Sequence, residues 1–229
     1  MSTSIQESSL EFLEKLSRNN DRGWFNKNKS LYLEEYKKVI SFTNTLLEEL
    51  KKFDKIETVT GKKALHRIYR DIRFSKNKTP YKNNWSGSFK RATHLLRGGF
   101  YFHIEPGNSF AAGGFWGPNK DDLLKLRKGI ISEENEFREI LDSDEFKEVF
   151  GVLHGEKLKT APKGFDKDLS SIDLLRYKQY ILKHDFTDEE VKSKNFHKKV
   201  VGIFVAMHPL LDLMSYILTT DENGSPLYE

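Results

Sequence analysis

Two aromatic-rich runs, Gly99–Glu105 and Ser109–Trp116, are separated only by Pro106-Gly107-Asn108. Three residues of this kind suffice for a hairpin reversal. They cannot supply the long crossover that a parallel pair of strands requires. Any sheet built on these runs is therefore at least partly antiparallel. Two further strands are expected in the same central third of the chain, at Ala64–Ile72 and Trp85–Lys90. One more is expected later, at Tyr177–Phe186, which gives a sheet of about four to five strands.

On either side the apolar residues recur at helical spacing. Ser8 with Glu11 reads as a capping box, and Leu10, Leu13 and Leu16 carry a first helix to about Arg18. Asp21 can cap a short turn through Trp24 and Phe25. A longer helix follows from about Ser30 to Phe53. Tyr32, Tyr36, Val39, Ile40, Thr43, Leu46, Leu47 and Leu50 trace its apolar face, with Glu34, Glu35, Glu48 and Glu49 off it. Beyond the hairpin, Pro118 suits a first helical position. Ser132 and Ser143 are expected to cap short helices over Phe137–Leu141 and Phe146–Phe150. Leu158–Asp168 has loop composition. Thr187 with Glu190 is a second capping box, and a last helix from about Lys194 to Leu218 should bend at Pro209. The order helices, strands, helices predicts an α+β fold in a single domain, residues 1–229, with N-terminal and C-terminal helices packing the sheet.

Charge adds the first functional clue. The 229 residues carry 38 Lys plus Arg and 34 Asp plus Glu, a formal net charge of +4. Thr58–Ile104 holds eleven of those bases and a single acid, Asp71, so this segment alone carries +10 and the remainder −6. The chain has no cysteine. Disulfides, Cys-ligated zinc, iron–sulfur clusters and thiol catalysis are thereby excluded, as is a paired-Cys zinc deaminase. The amino terminus does not read as a secretory signal, and no stretch has the apolar length of a membrane span. The expectation is a soluble, cytoplasmic protein with no membrane partner, no metal and no cofactor. Nothing in the sequence bears on oligomeric state.

The basic segment is densest from Arg67 to Lys82. If residues 66–73 are extended, His66, Ile68, Arg70, Ile72 and Phe74 share one face, and Arg67, Tyr69, Asp71 and Arg73 the other. Arg70 then sits among apolar neighbours and needs an acceptor or a ligand, because a buried unpaired guanidinium is costly. Asp71 can orient Arg67 or Arg73 by a bidentate pair. Ser75, Lys76 and Lys78 lie in a loop, where hydroxyls, ammonium groups and free amides can cradle an oxyanion. Tyr81 adds a hydroxyl after Pro80. The alternative is a basic face neutralised internally, for example by Glu34, Glu35, Glu48 and Glu49. The candidate ligand-binding residues are Arg67, Arg70, Asp71, Arg73, Ser75, Lys76, Lys78 and Tyr81.

Other constellations are thinner. His103-Ile104-Glu105 places a His and a Glu on one strand face, which could begin an acid/base pair or a metal site but supplies only two ligands. Each of the seven histidines is better read as structural. Gly113–Gly117 could present amides to an anion, but glycines in a strand more often mark close packing. Ser75, Ser86 and Ser88 lack a local base signature. Lys159 and Lys163 form a second basic loop.

The run Arg67-Ile68-Tyr69-Arg70-Asp71-Ile72-Arg73-Phe74-Ser75-Lys76-Asn77-Lys78-Thr79-Pro80-Tyr81-Lys82 resembles the hallmark of an uncharacterised family, domain of unknown function twenty-four sixty-one. Three further blocks agree: Asn19-Asn20 leading into Trp24-Phe25, Gly99 through Gly107, and Ala161-Pro162-Lys163-Gly164-Phe165-Asp166. Asn77 departs from the pattern, standing where an acid is expected. The resemblance implies one full-length domain and brings no mechanism. On the residues themselves, the leading expectation is binding of a small anionic or phosphorylated ligand. The alternatives are an enzyme acting on a phosphate or carboxylate substrate, a nucleic-acid-binding protein, and a domain whose cationic face meets an acidic partner.

Overall fold

A computed structural model describes residues 3–92, 94–221 and 223–227. Its elements in chain order are α1 (Glu7–Arg18), α2 (Arg22–Lys27), α3 (Lys29–Leu50), α4 (Gly61–Ala64), β1 (Trp85–Lys90), β2 (Gly99–Ile104) and β3 (Ser109–Phe115). They continue with α5 (Lys120–Ser132), α6 (Glu134–Asp142), α7 (Asp144–Val149), α8 (Ile172–Leu175), β4 (Tyr180–Phe186), α9 (Asp188–Lys192), α10 (Phe196–Ala206) and α11 (His208–Thr219). The four strands form one antiparallel sheet in the order β1-β2-β3-β4, so the fold is α+β. The β2–β3 reversal is the expected hairpin. Gly107 there takes φ +71, a conformation that disfavours a side chain, and the Asn108 amide donates to the Glu105 carbonyl at 2.9 Å. Contacts sort the chain into two compact units. The first holds the described residues of Met1–Phe89, Tyr101–Ala111 and Asp185–Gly202, and the second the rest.

In the first unit, Leu10, Phe12, Leu13 and Leu16 of α1 and Val39, Phe42, Leu46 and Leu50 of α3 are buried. Phe42 stacks on Phe196 at 5.7 Å and meets Phe102 edge-on at 6.3 Å. Such rings each contribute about 1.5–3 kcal/mol through burial. The capping box expected at Ser8 and Glu11 does not form. Helix α1 starts two residues earlier, with Gln6 at its N-cap and no side-chain cap. Ser8 and Ser9 instead donate to Glu35 Oε2 at 3.0 and 2.7 Å. Glu35 was expected off the apolar face, yet it is only 1% exposed. Its position is on the line of Val39, Phe42 and Leu46, and the two serines with Lys38, at 2.7 Å, satisfy the charge there. The capping box of Thr187 and Glu190 forms as expected at α9.

The expected strand Ala64–Ile72 is not a strand. Thr60 caps the single turn α4, and only short antiparallel pairings follow. The His66 amide donates to the Ser86 carbonyl at 2.8 Å, the Arg70 amide to Pro80 at 2.9 Å and the Lys82 amide to Ile68 at 2.7 Å. Pro80 has no amide to return, so the ladder stops and residues 71–79 leave as a loop. The assumed alternation fails with it: Phe74, assigned to the same face as Ile68, is 95% exposed. Arg70, expected among apolar neighbours, is half-buried.

In the second unit, Pro118 stands ahead of α5, not inside it. Asn119 is the N-cap, its side chain accepting from the Asp122 amide at 2.8 Å. Asn is a preferred residue there, which displaces the helix start past the proline. Ser143 caps α7 as expected, but α6 starts at Glu134 behind Glu133, an N-cap with no side-chain bond, and Ser132 bonds back to the Lys128 carbonyl. Strand β4 begins at Tyr180, because Tyr177 pairs with Lys157 in an isolated bridge. The single bent helix expected to Leu218 is two helices meeting at 42°. Pro209 lies in the first turn of α11; its ring would clash with the Val205 carbonyl, so α10 ends first. Among the described residues no single helix is long and apolar enough to cross a membrane. A Cβ on Gly114, φ +128, would come within 2.1 Å of the Tyr180 carbonyl oxygen, and one on Gly113 within 2.4 Å of Met207 Sδ. These two glycines serve close packing.

Candidate functional site

The basic loop is held at both ends. Asn20 clamps Tyr81, donating from Nδ2 to its carbonyl at 3.0 Å and accepting its amide at 3.1 Å. Phe25 of α2 stacks on the Tyr81 ring at 4.0 Å, and Tyr69 sits beside it at 5.4 Å. Asp21 caps α2, accepting from the Trp24 amide at 2.9 Å. The turn carrying Asn19-Asn20 and the helix carrying Trp24-Phe25 thus seat against the strand-like pieces around Tyr69 and Tyr81.

Between them lies a cleft of about 260 Å³ lined by Arg22, Asn26, Tyr69, Arg70, Ile72, Pro80 and Tyr81. Arg70 donates to Thr79 Oγ1 and more weakly to Ser75 Oγ at 3.5 Å. Thr79 is itself oriented, its amide and its hydroxyl both donating to Asn77 Oδ1 at 2.9 and 2.8 Å. The Asn77 carboxamide thereby performs the turn-capping work open to a carboxylate, without adding a negative charge near Arg70. Burial, and then the neighbouring Tyr69, push the Tyr81 phenol up, while the charge of Arg22 opposes the shift. Tyr81 is accordingly a neutral hydrogen-bonding hydroxyl at neutral pH.

Of the expected residues, Arg70 and Tyr81 line the cleft, and Ser75 touches it through Arg70. Asp71 and Arg73 form a bidentate pair, with Nε to Oδ1 at 2.9 Å and Nη2 to Oδ2 at 2.7 Å. Both are exposed, and Arg73 leans over Phe74. Arg73 draws the Asp71 carboxyl below its ordinary range. Lys78 Nζ donates to the Ile72 carbonyl at 3.0 Å, which closes the loop. Lys76 and Arg67 are exposed on the same segment.

The internal-network alternative can be read off the ion pairs. Arg73, Arg91 and Arg97 pair with Asp71, Asp212 and Asp122. Among the described residues no carboxylate lies within ion-pair distance of Arg22, Arg67, Arg70, Lys76, Lys78 or Lys82. Glu34 and Glu35 are engaged by Lys38 within α3, and Glu49 by Lys52 just past its end. The acidic residues of α3 therefore do not neutralise the loop. Arg22, Asn26 and Tyr69 were not among the expected site residues. The signal was present in the Asn19 to Phe25 block, but a separation of some fifty residues hid its meeting with Arg70.

Two of the four sequence blocks that carry the resemblance, the Asn19 to Phe25 turn and the Arg67 to Lys82 run, thus build one cleft. No curated protein and no solved structure matches the chain. A family model described as conserved hypothetical protein matches residues 8–213, most of the length. The chain belongs to this family, DUF2461, whose function is unknown.

Proposed function

We propose that the protein binds a small anionic ligand, a phosphate or a carboxylate, in the cleft between α2 and the Arg70–Tyr81 segment. One observation carries the reading. Two guanidinium groups from separate elements, Arg22 and Arg70, line the same cleft, and neither has a carboxylate partner among the described residues. Guanidinium forks match the oxygens of phosphate and carboxylate, and charge-assisted hydrogen bonds are roughly twice as strong as neutral ones. Asn26, Tyr69 and Tyr81 add uncharged donors, and the cleft volume suits a ligand of a few heavy atoms.

Isothermal titration with inorganic phosphate tests this. Removing one hydrogen bond to a charged group costs about 1.5–3 kcal/mol, so Arg22→Gln and Arg70→Gln should each weaken binding about tenfold or more. Lys76→Gln, on the exposed loop, should change it little. Equal affinity in the wild type and both arginine variants refutes the assignment.

A further inference from the structure

Tyr101, His103 and Glu105 occupy alternate positions along and just beyond β2 and so share one face. They lie between the buried Phe100, Phe102 and Ile104, themselves only partly exposed. Tyr101 Oη is 2.9 Å from His103 Nδ1, and His103 Nε2 is 2.9 Å from Glu105 Oε2. Glu105 is held on both oxygens, by Asn83 at Oε1 and by Asn108 at Oε2, the latter at 3.0 Å. A carboxylate only accepts, so His103 Nε2 carries the shared proton. On the neutral ring Nδ1 is then the acceptor, and Tyr101 aims its hydroxyl proton at it. Phe110 stacks on His103 at 4.7 Å and fixes the ring plane. Carboxylate, imidazole and hydroxyl in this order are the means by which hydrolases draw a proton from a nucleophile. Here a phenol stands in the place of the usual serine.

Glu105 is the charge that acts on Tyr101 itself, and the cationic groups of this segment stand one neighbour further, beyond His66. The His66 ring is 5.8 Å from Tyr101, and its Nε2 is 3.0 Å from Ser88 Oγ. Burial, and then the charge of Lys82, push the His66 imidazole down; burial, and then Arg67, push the Lys82 ammonium down. Lys82 and Arg67 make no ion pair among the described residues. Burial pushes the Tyr101 phenol up, so it rests protonated, while a hydrogen bond from Ser86 works in the other direction. Among the described residues no three His, Asp or Glu side chains are grouped to hold a metal.

We propose that Tyr101 is an activated nucleophile for a small anionic acyl compound, with His103 as its base and Glu105 positioning His103. The Tyr101 Oη bond to the acyl carbon forms as the bond to the leaving group breaks. The phenolic proton passes to His103 Nδ1 and from there to the leaving group, which departs with the bonding pair. Lys82 and Arg67 supply the charge that receives the anion. This site shares no residue with the Arg22–Arg70 cleft and does not depend on it.

The test uses 4-(fluorosulfonyl)benzoate, an anionic electrophile, against the neutral phenylmethylsulfonyl fluoride, with labelled tyrosines mapped by mass spectrometry on the full chain. Tyr101 should label about a hundredfold faster than the more exposed Tyr69 and Tyr216, the low end of the usual range of acid/base assistance. Glu105→Gln and His103→Asn should each remove that advantage, and Lys82→Gln should remove only the preference for the anionic reagent. Circular dichroism checks the fold; if His103→Asn does not fold, the isosteric Glu105→Gln decides. Labelling of Tyr101 no faster than Tyr216, or unchanged by Glu105→Gln, overturns the proposal.

Discussion

Glu35→Ala probes how a charge is held inside the first unit. The side chain is 1% exposed, and Ser9, one of its donors, is 0% exposed. Truncation leaves the Ser9 hydroxyl without that acceptor, a cost of about 1–3 kcal/mol. It also withdraws one methylene from the interior, about 0.8 kcal/mol. Lys38 loses less: its side chain is 34% exposed and keeps Glu34 at 3.2 Å, so its share is about 0–1 kcal/mol. The expected loss is about 3 kcal/mol, at the low end of the range for breaking a buried pair. Glu35→Gln keeps an acceptor for the serines and should cost about half as much. Urea unfolding followed by tryptophan fluorescence reads both, since Trp85 donates its indole N–H to the Ser9 carbonyl at 3.1 Å. Burial pushes the Glu35 carboxyl up, but hydrogen bonds from Lys38, Ser9 and Ser8 outweigh it and the net shift is downward. A depressed carboxyl contributes stability that is complete above the ordinary value of 4.5 and is lost as pH falls through the lower value of the folded state. The wild type should therefore lose stability below that point, and the Gln variant should lose less. A Glu35→Ala cost under about 1 kcal/mol would refute the reasoning, because it falls below the cost of one stranded buried hydroxyl.

Two further changes test the local packing. Gly114→Ala places a methyl 2.1 Å from the Tyr180 carbonyl at a positive φ, and should lower the thermal midpoint severely or prevent folding, whereas Gly117→Ala, with open space around it, should be close to neutral by differential scanning fluorimetry. Thr187→Ala removes the capping box at α9 and should cost about 1 kcal/mol in urea unfolding.

The sheet was legible because its signals are local. The Pro106-Gly107-Asn108 turn and the alternation of Phe100, Phe102 and Ile104 need no distant partner. The segment 64–72 misled because the same β-favouring residues also suit a short bridge, and what ended the ladder was Pro80, eight residues beyond. Charge misled at Glu35: its spacing from Val39 and Phe42 put it on the buried line, and only the serines of α1 make that placement tolerable. In the cleft, Arg70 and Tyr81 could be read from the basic run. Arg22 and Asn26 could not, since an exposed Arg and Asn on a six-residue helix carry no pattern of their own. The hydrogen bond between Ser88 and His66 was invisible for a similar reason, with donor and acceptor twenty-two positions apart.

The anion cleft is most directly tested by the guanidinium resonances of Arg22 and Arg70 in a nitrogen–proton correlation spectrum during a phosphate titration. Occupation of the cleft predicts that both Nε–H signals move together and saturate along one binding curve, while the signal of the Asp71-paired Arg73 stays in place. Movement confined to Arg73 and the loop amides, with Arg22 and Arg70 unchanged, would contradict it.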